Sequence, residues 1–191
     1  FMSILAAKLS GLSIKKTLYT VKNIKEVNGR LQLIKTTPNK TKIFIDYAHT
    51  PDALGTTLKT LKEHYNIKPI VVFGCGGERD KKKRSKMAII SEKNAKKIYV
   101  TDDNPRNESP KLIRQMILSG FSKRLNVIEI PLRSKAIETA IVEAKPNSII
   151  LVAGKGHETT QTYGKKIFNI SDRKIIKNIS NSKIKFNQKK Y

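Results

Sequence analysis

The chain has 191 residues, 38% of them hydrophobic, enough apolar material for one packed domain and too much for a disordered polymer. Its 39 basic against 15 acidic residues give a net charge of +24, but the lysines are scattered over every segment and the aromatics, 6% of the chain with no Trp, are not interleaved with them, which argues against nucleic-acid binding as the main task. No apolar run approaches the ~20 residues of a membrane-spanning helix, and the single cysteine, Cys75, excludes an internal disulfide and suits a reducing, cytoplasmic setting.

The chain opens Phe1-Met2 and is expected to be a piece of something longer. Its first apolar stretch lacks a basic segment before it, so it reads as an amphipathic helix from Met2 to Leu9 rather than a leader. A second short helix carries Leu18, Val21 and Ile24, and Val27-Asn28-Gly29-Arg30 is a turn, with a domain boundary near residue 28. A strand over Leu31–Lys35 and a polar loop over Thr36–Lys40 follow. From there the pattern alternates. Strand Lys42–Asp46 precedes a helix with Leu54, Leu58, Leu61 and Tyr65 on one face, and strand Ile70–Phe73 precedes a helix with Met87, Ile90 and Ala95. Strand Lys97–Thr101 leads to a helix with Leu112, Ile113, Met116 and Ile117. Strand Val127–Ile130 leads to one with Ile137, Ala140, Ile141 and Ala144. Strands over Ser148–Val152 and Lys166–Ile170 come last, before a helix that Ser171-Asp172 caps and that runs through Ile176 and Ile179.

Strands alternating with helices of this length imply βαβ units and an α/β fold: a Rossmann-like, mostly parallel sheet with helices on both faces. Ligands of such sheets bind outside the carboxyl ends of the strands. Every unusual motif here lies at such an end: Asp46-Tyr47-Ala48-His49-Thr50-Pro51, Gly74-Cys75-Gly76-Gly77-Glu78-Arg79-Asp80, Thr101-Asp102-Asp103-Asn104-Pro105-Arg106, and Gly154-Lys155-Gly156-His157-Glu158. One odd turn is noise; four along one edge indicate a site.

Each motif also has a plainer reading. Thr50 is an N-cap and Pro51 a first-turn proline, which leaves Asp46 and His49 unexplained. Arg79 is suited to a carboxylate by its forked donors, or pairs at the surface with Glu78 or Asp80. Cys75 reads as a small buried residue, and His64 as a surface histidine. The Asp103–Arg106 bend is a solvated turn with a local ion pair, or it presents both signs of charge to one ligand. Neither G-x-G-x-x-G nor G-x-x-x-x-G-K-[ST] occurs in the chain, so it carries no dinucleotide fingerprint and no phosphate loop.

DYAHTPDAL, VVFGCGGERDKKKR, VTDDNPRNESP and LVAGKGHE, in this order, resemble the C-terminal part of the Mur ligase family over about residues 1–180. The closest type is the one that adds meso-diaminopimelate to UDP-N-acetylmuramoyl-L-alanyl-D-glutamate, with DNPR the narrower signal. Glu78 stands where that family commonly has Asp or Asn, and Lys82 where Gly is frequent. The resemblance implies that residues 1–27 are the tail of a central ATPase domain and residues 28–191 the C-terminal domain. It also implies that the phosphate loop, the carbamylated lysine and the nucleotide-sugar site lie in parts not present here. By the same resemblance Arg79, Asp103, Asn104, Pro105, Arg106, Gly154 and Glu158 form the diaminopimelate site, and Arg30, Asp46, Tyr47 and His49 contact ATP on domain closure.

The implied function is that of an ATP-dependent amide ligase of peptidoglycan synthesis, with ATP and Mg2+ held mainly by the missing central domain and this part expected to be inactive alone. Two other readings stay open: an amino-acid-binding module without chemistry, and a basic nucleic-acid-binding α/β domain.

Overall fold

Six strands form the central sheet of the computed structural model, which describes residues 2–21, 23 and 26–181. In chain order they are β1 (Gln32–Thr36), β2 (Lys42–Asp46), β3 (Ile70–Phe73), β4 (Lys97–Val100), β5 (Val127–Glu129) and β6 (Ile149–Ala153), arranged β1-β2-β6-β3-β4-β5. Only β1 runs antiparallel, on β2; the other four pairings are parallel. Two further strands, β7 (Thr160–Tyr163) and β8 (Lys166–Asn169), form a separate antiparallel hairpin.

Strand alternation sorts the core into two layers. Phe44, Val71, Phe73, Ile98, Val100 and Leu151 face one side, where they meet Leu54, Leu58 and Leu61 of α3 (Pro51–Tyr65), Met87 and Ala88 of α4 (Lys82–Asn94), and Ile113 and Ile117 of α5 (Pro110–Leu118). Ile43, Ile45, Val72, Tyr99, Ile150 and Val152 face the other, against α6 (Arg133–Val142) and α7 (Asp172–Asn178). A central parallel sheet covered on both faces requires such near-continuous apolar strands. The helices start where the sequence signals them. Thr50 and Ser109 accept hydrogen bonds from Ala53 N and Leu112 N, each ahead of a first-turn proline, and Ser171 accepts from Lys174 N.

Several expectations shift. The first strand begins at Gln32, one residue late, and Ala95 is the C-cap of its helix rather than a helical residue. Leu112 and Met116 are 59% and 37% exposed, because α5 turns Arg114 and Leu118 inward beside Ile113 and Ile117. The N-terminal segment is helical as expected, as α1 (Met2–Leu9) and α2 (Ile14–Val21). The two helices pack on each other, contribute nothing to either core layer and leave Leu5, Leu9, Leu12 and Leu18 exposed. Ile24 lies outside the described residues.

Candidate functional site

The chain passes from β2 through α3 to β3, then steps outward to β4 and β5, and returns through α6 to place β6 between β2 and β3. The strands flanking β6, β2 and β3, leave through α3 and α4 on one face, whereas the chain leaving β6 reaches α7 on the other, and such a reversal opens a crevice at the carboxyl ends of these strands. All four motifs meet there.

The loops after β3 and β4 lie backbone to backbone. Gly77 N donates to Asn104 O at 2.8 Å, and Arg106 Nη1 donates to Gly77 O at 2.7 Å. Only glycine permits this approach: a Cβ on Gly77 would stand 1.9 Å from Pro105 O, and one on Gly74 would stand 2.2 Å from Thr101 O. Arg106 adopts φ 52°, a left-handed conformation that costs a residue with a side chain of the order of 1 kcal/mol or more. The hairpin holds it there, since Arg106 N donates to Thr162 O and Gly164 N donates to Arg106 O. Arg79 and Arg106 flank Gly76, whose Cβ position lies 3.0 Å from Arg106 Nη1 and 3.8 Å from Arg79 Cγ. Arg79 forms neither of the surface ion pairs considered from sequence; its Nη1 donates to the Glu78 backbone carbonyl. The side chains of both arginines thus border Gly76 at this edge of the sheet.

Acids and amides gather next to them, between the ends of β4 and β6. Asn104 Nδ2 donates to Glu158 Oε2 at 3.0 Å, and Asn104 Oδ1 accepts from Thr162 N at 3.1 Å and from Lys155 Nζ at 3.4 Å. Lys155 is wholly buried and pairs with Glu158 at 3.0 Å. Asp103 is also buried, against Gly154, and burial pushes its carboxyl above the usual range while the Arg133 and Lys155 cations oppose that shift. Gly154 has φ 111°, and a Cβ there would meet Asp103 Oδ2 at 2.7 Å. Of the two adjacent acids, Asp102 is structural: it pairs with Arg114, which also binds Glu129, and it accepts from Tyr163 OH. Behind Asp103, Arg133 and Asp172 form a fully buried bidentate pair at 2.7 and 2.8 Å.

At the end of β2 a second cluster forms. The Arg30 guanidinium lies 4.6 Å from the Tyr47 ring centroid, His157 stacks on the same ring at 5.5 Å, and His49 meets it edge-on at 4.7 Å. Asp46 does not face this cluster freely. Its Oδ2 accepts from Leu31 N and its Oδ1 from Ala48 N at 2.8 Å, so it ties the turn that carries Arg30 to the strand that carries Tyr47.

The structure therefore gathers Arg79, Asn104, Arg106, Gly154 and Glu158 around one crevice, with Asp103 and Pro105 buried behind it, and sets Arg30, Tyr47 and His49 beside it on Asp46. Lys155 and His157 belong to a motif read from sequence but carry no role there, and Gln161 and Thr162 lie outside every motif. Gln161 is 3% exposed and donates through Nε2 to Asp103 O. For Gln161 and Thr162 the available signal is the Tyr163-Gly164-Lys165-Lys166 turn, with glycine first at positive φ as tight hairpins favour. Cys75 is buried, its thiol pushed up to about 12 by desolvation, and so is unsuited to nucleophilic work. Among the described residues, no group of three potential metal ligands occurs and no helix is long and apolar enough to cross a membrane.

The profile of the Mur ligase glutamate ligase domain matches residues 29–156. The UDP-N-acetylmuramoyl-L-alanyl-D-glutamate--2,6-diaminopimelate ligase of Buchnera aphidicola (subsp. Acyrthosiphon pisum) is 46% identical over 169 residues, 88% of this chain and 34% of that protein. The enzyme of the same name from Rickettsia montanensis is 44% identical over 179 residues, 92% of this chain and 36% of its own length. A solved structure of a ligase of this name superposes with a TM-score of 0.74 at 33% identity, covering 97% of this chain and 37% of that one. The UDP-N-acetylmuramate-alanine ligase of Thermotoga maritima shares the fold, with a TM-score of 0.61 at 21% identity over 79% of this chain and 32% of its own. The chain spans about a third of the length of these curated relatives. Domain match, sheet order and the four loops at one edge agree, and the chain belongs to the Mur ligase family, of which it carries the C-terminal domain.

Proposed function

We propose that this chain is the amino-acid-delivering part of an ATP-dependent amide ligase that joins meso-diaminopimelate to UDP-N-acetylmuramoyl-L-alanyl-D-glutamate. One observation carries the substrate reading. The Arg79 and Arg106 side chains lie around Gly76, and the Asn104 side chain beside them is joined to the Glu158 carboxylate, so cationic and anionic groups stand together at one sheet edge. Diaminopimelate has a carboxylate and an ammonium at each end, and a rigid frame presenting both signs is what such a molecule requires. Arg106 uses only Nη1 on backbone carbonyls, so Nε and Nη2 have no protein acceptor among the described residues and are suited to a carboxylate fork. The relatives' names, which specify 2,6-diaminopimelate, support the same reading.

In this proposal residues 1–27 are the end of a central domain and the C-terminal domain begins at residue 28. The cluster of Arg30, Tyr47, His49 and His157 fits part of a nucleotide, since cationic and aromatic groups are presented together at the domain edge. When bound, ATP supplies the phosphoryl group that activates the D-glutamyl side-chain carboxylate. The described residues offer no fit for Mg2+, so no step is assigned to it in this domain. The task of the domain is to hold the incoming amine in line with the activated carboxylate, which removes translational and rotational entropy from the attack, and to exclude water on closing.

The test is Arg106→Ala in the full-length protein that carries this chain. A charged hydrogen bond to the far carboxylate contributes about 1.5–3 kcal/mol, so kcat/KM for diaminopimelate should fall roughly ten- to hundredfold. Lysine, which lacks that carboxylate, should lose little. Equal losses for the two amino acids would make Arg106 structural and remove the basis of the substrate assignment.

A further inference from the structure

We propose that Lys155 is a positioning residue of the crevice: it fixes the orientation of the Asn104 amide and the Glu158 carboxylate, and so sets selectivity for an ammonium at the far end of the incoming amino acid. The inference rests on the amino-acid reading above and adds to it a residue that does not itself face the substrate.

Lys155 follows Gly154 at the end of β6, and its side chain is 0% exposed. A buried ammonium is costly unless paired and hydrogen-bonded, so its partners define its work. It has two, Glu158 Oε2 at 3.0 Å and Asn104 Oδ1 at 3.4 Å. An asparagine side chain can exchange its oxygen and nitrogen by a half-turn with little change of shape, so only its neighbours choose between the two orientations. Here the choice is forced. Oδ1 faces two donors, Lys155 Nζ and Thr162 N, while Nδ2 faces Glu158 Oε2. A flipped amide would set its NH2 group against an ammonium and a backbone N–H, and its oxygen against a carboxylate.

Glu158 is fixed in the same way. Oε2 receives two donors, from Asn104 and Lys155, whereas no described residue donates to Oε1. The Glu158 side chain is 31% exposed, so its unengaged oxygen belongs to the open part of the crevice rather than to the core. The carboxylate is held by one oxygen and offers the other. Lys155 thus converts two adaptable side chains into one fixed acceptor pattern. A neutral residue of similar size would fill the same space without doing so.

The experiment uses the full-length protein with three amino acids: meso-diaminopimelate, 2-aminopimelate, which lacks the far ammonium, and lysine, which lacks the far carboxylate. With Lys155→Met, the preference in kcat/KM for diaminopimelate over 2-aminopimelate should fall by about tenfold or more, the lower bound for a charged hydrogen bond. The preference over lysine, which Arg106 sets, should stay within about twofold, as for an uncoupled site. The double variant Lys155→Met, Glu158→Gln should be no worse than Glu158→Gln alone within about twofold, because Lys155 and the Asn104 amide that it orients both act on the ammonium through the Glu158 carboxylate. Equal losses for all three amino acids, or multiplying losses in the double variant, would reduce Lys155 to a packing residue.

If Lys155→Met does not fold, Asn104→Asp keeps the lysine and deletes the donor to Glu158. It should show the same selective loss, and an unselective loss would overturn the proposal. A substrate-independent readout separates this inference from the functional reading. The Asn104 side-chain amide should give one slowly exchanging pair of NMR signals in the wild type and an exchange-averaged pair in Lys155→Met. Unchanged signals would overturn the positioning role, whereas a wild type indifferent to diaminopimelate would overturn the functional reading.

Discussion

Gly77→Ala is the smallest change that should separate the two loops carrying the paired arginines. The added Cβ would stand 1.9 Å from Pro105 O, 2.8 Å from Pro105 C and 3.2 Å from Glu108 Cβ. Non-bonded carbon atoms settle at about 3.5–4.0 Å and contacts to oxygen somewhat closer, so the loops must part by roughly 1 Å or more. The obstacle is backbone, and it belongs to a proline, so no side-chain rotation relieves it. Parting the loops also strains the bonds from Gly77 N to Asn104 O and from Arg106 Nη1 to Gly77 O. Overpacking of this kind costs about 1–3 kcal/mol of stability, and a misplacement of 1 Å at a site can cost about a hundredfold in rate. Gly120→Ala is the matched control. Its Cβ would meet Ser85 O at 2.5 Å in the contact between α4 and the end of α5, away from the crevice. Urea titration should show comparable destabilisation of the two variants. Steady-state kinetics on the folded protein should show kcat/KM for diaminopimelate down by about two orders of magnitude in Gly77→Ala alone. Full activity in Gly77→Ala, or equal loss in both, would mean that the approach of these loops does not set the geometry of the site.

Two further outcomes follow from groups near the crevice. Glu108 accepts from the buried Arg84 guanidinium and from Glu78 N, and the arginine holds its carboxyl at about 2, well below the ordinary 4.5. A depressed folded value gives stability that is present above 4.5 and lost as pH falls toward 2, so wild-type and Glu108→Gln urea midpoints should converge through that window; a constant difference would refute the linkage. For the nucleotide cluster, His49→Ala should raise the KM for ATP with stability unchanged within about 0.5 kcal/mol, since the side chain is exposed. Asp46→Ala should raise the same KM and also destabilise by roughly 1–3 kcal/mol, because Leu31 N and Ala48 N lose a charged acceptor. Thermal melts and ATP kinetics on both variants decide this, and an Asp46→Ala protein of unchanged stability would contradict the structural role.

The sheet was legible because its signals are local. Ile43-Phe44-Ile45, Ile70-Val71-Val72-Phe73 and Ile149-Ile150-Leu151-Val152 are short apolar runs between helices that begin at Thr50-Pro51 and Ser109-Pro110, and each feature states its own structure. The hairpin was half missed for the converse reason. Thr160-Gln161-Thr162-Tyr163 is polar and buries chiefly Gln161, and what makes it a strand is its fit against the Asp103–Arg106 loop more than fifty residues earlier. The inward face of α5 is not readable from spacing, which counts apolar residues only. Arg114 turns inward because Asp102 and Glu129 neutralise it, and that rotates Leu112 and Met116 toward solvent. At the site, resemblance named residues that the fold brings to one sheet edge, but no pattern showed that Asp46 holds backbone or that Lys155 is buried.

The charge of the chain explains part of its architecture. In a sequence this basic the acids are scarce, and their placement is informative. Arg84, Arg114, Arg133 and Lys155 are buried cations, and each has a carboxylate partner: Glu108, Asp102, Asp172 and Glu158 respectively. All four pairs connect to the crevice. Arg84 binds Gly76 O, Asp102 adjoins Asp103, Arg133 binds Ala153 O, and Lys155 orients Asn104. Breaking a buried pair by removing one partner costs about 3–5 kcal/mol, so these residues fix the loops far more firmly than the exposed lysines fix anything. The exposed lysines give the surroundings of the crevice a positive field that favours the arrival of carboxylates. An ammonium gains nothing from that field and must be held by contact, at the Glu158 carboxylate that Asn104 and Lys155 orient. The end of the substrate that the overall charge disfavours is therefore the end that demands the most rigid acceptors, and the buried pairs stand directly behind them.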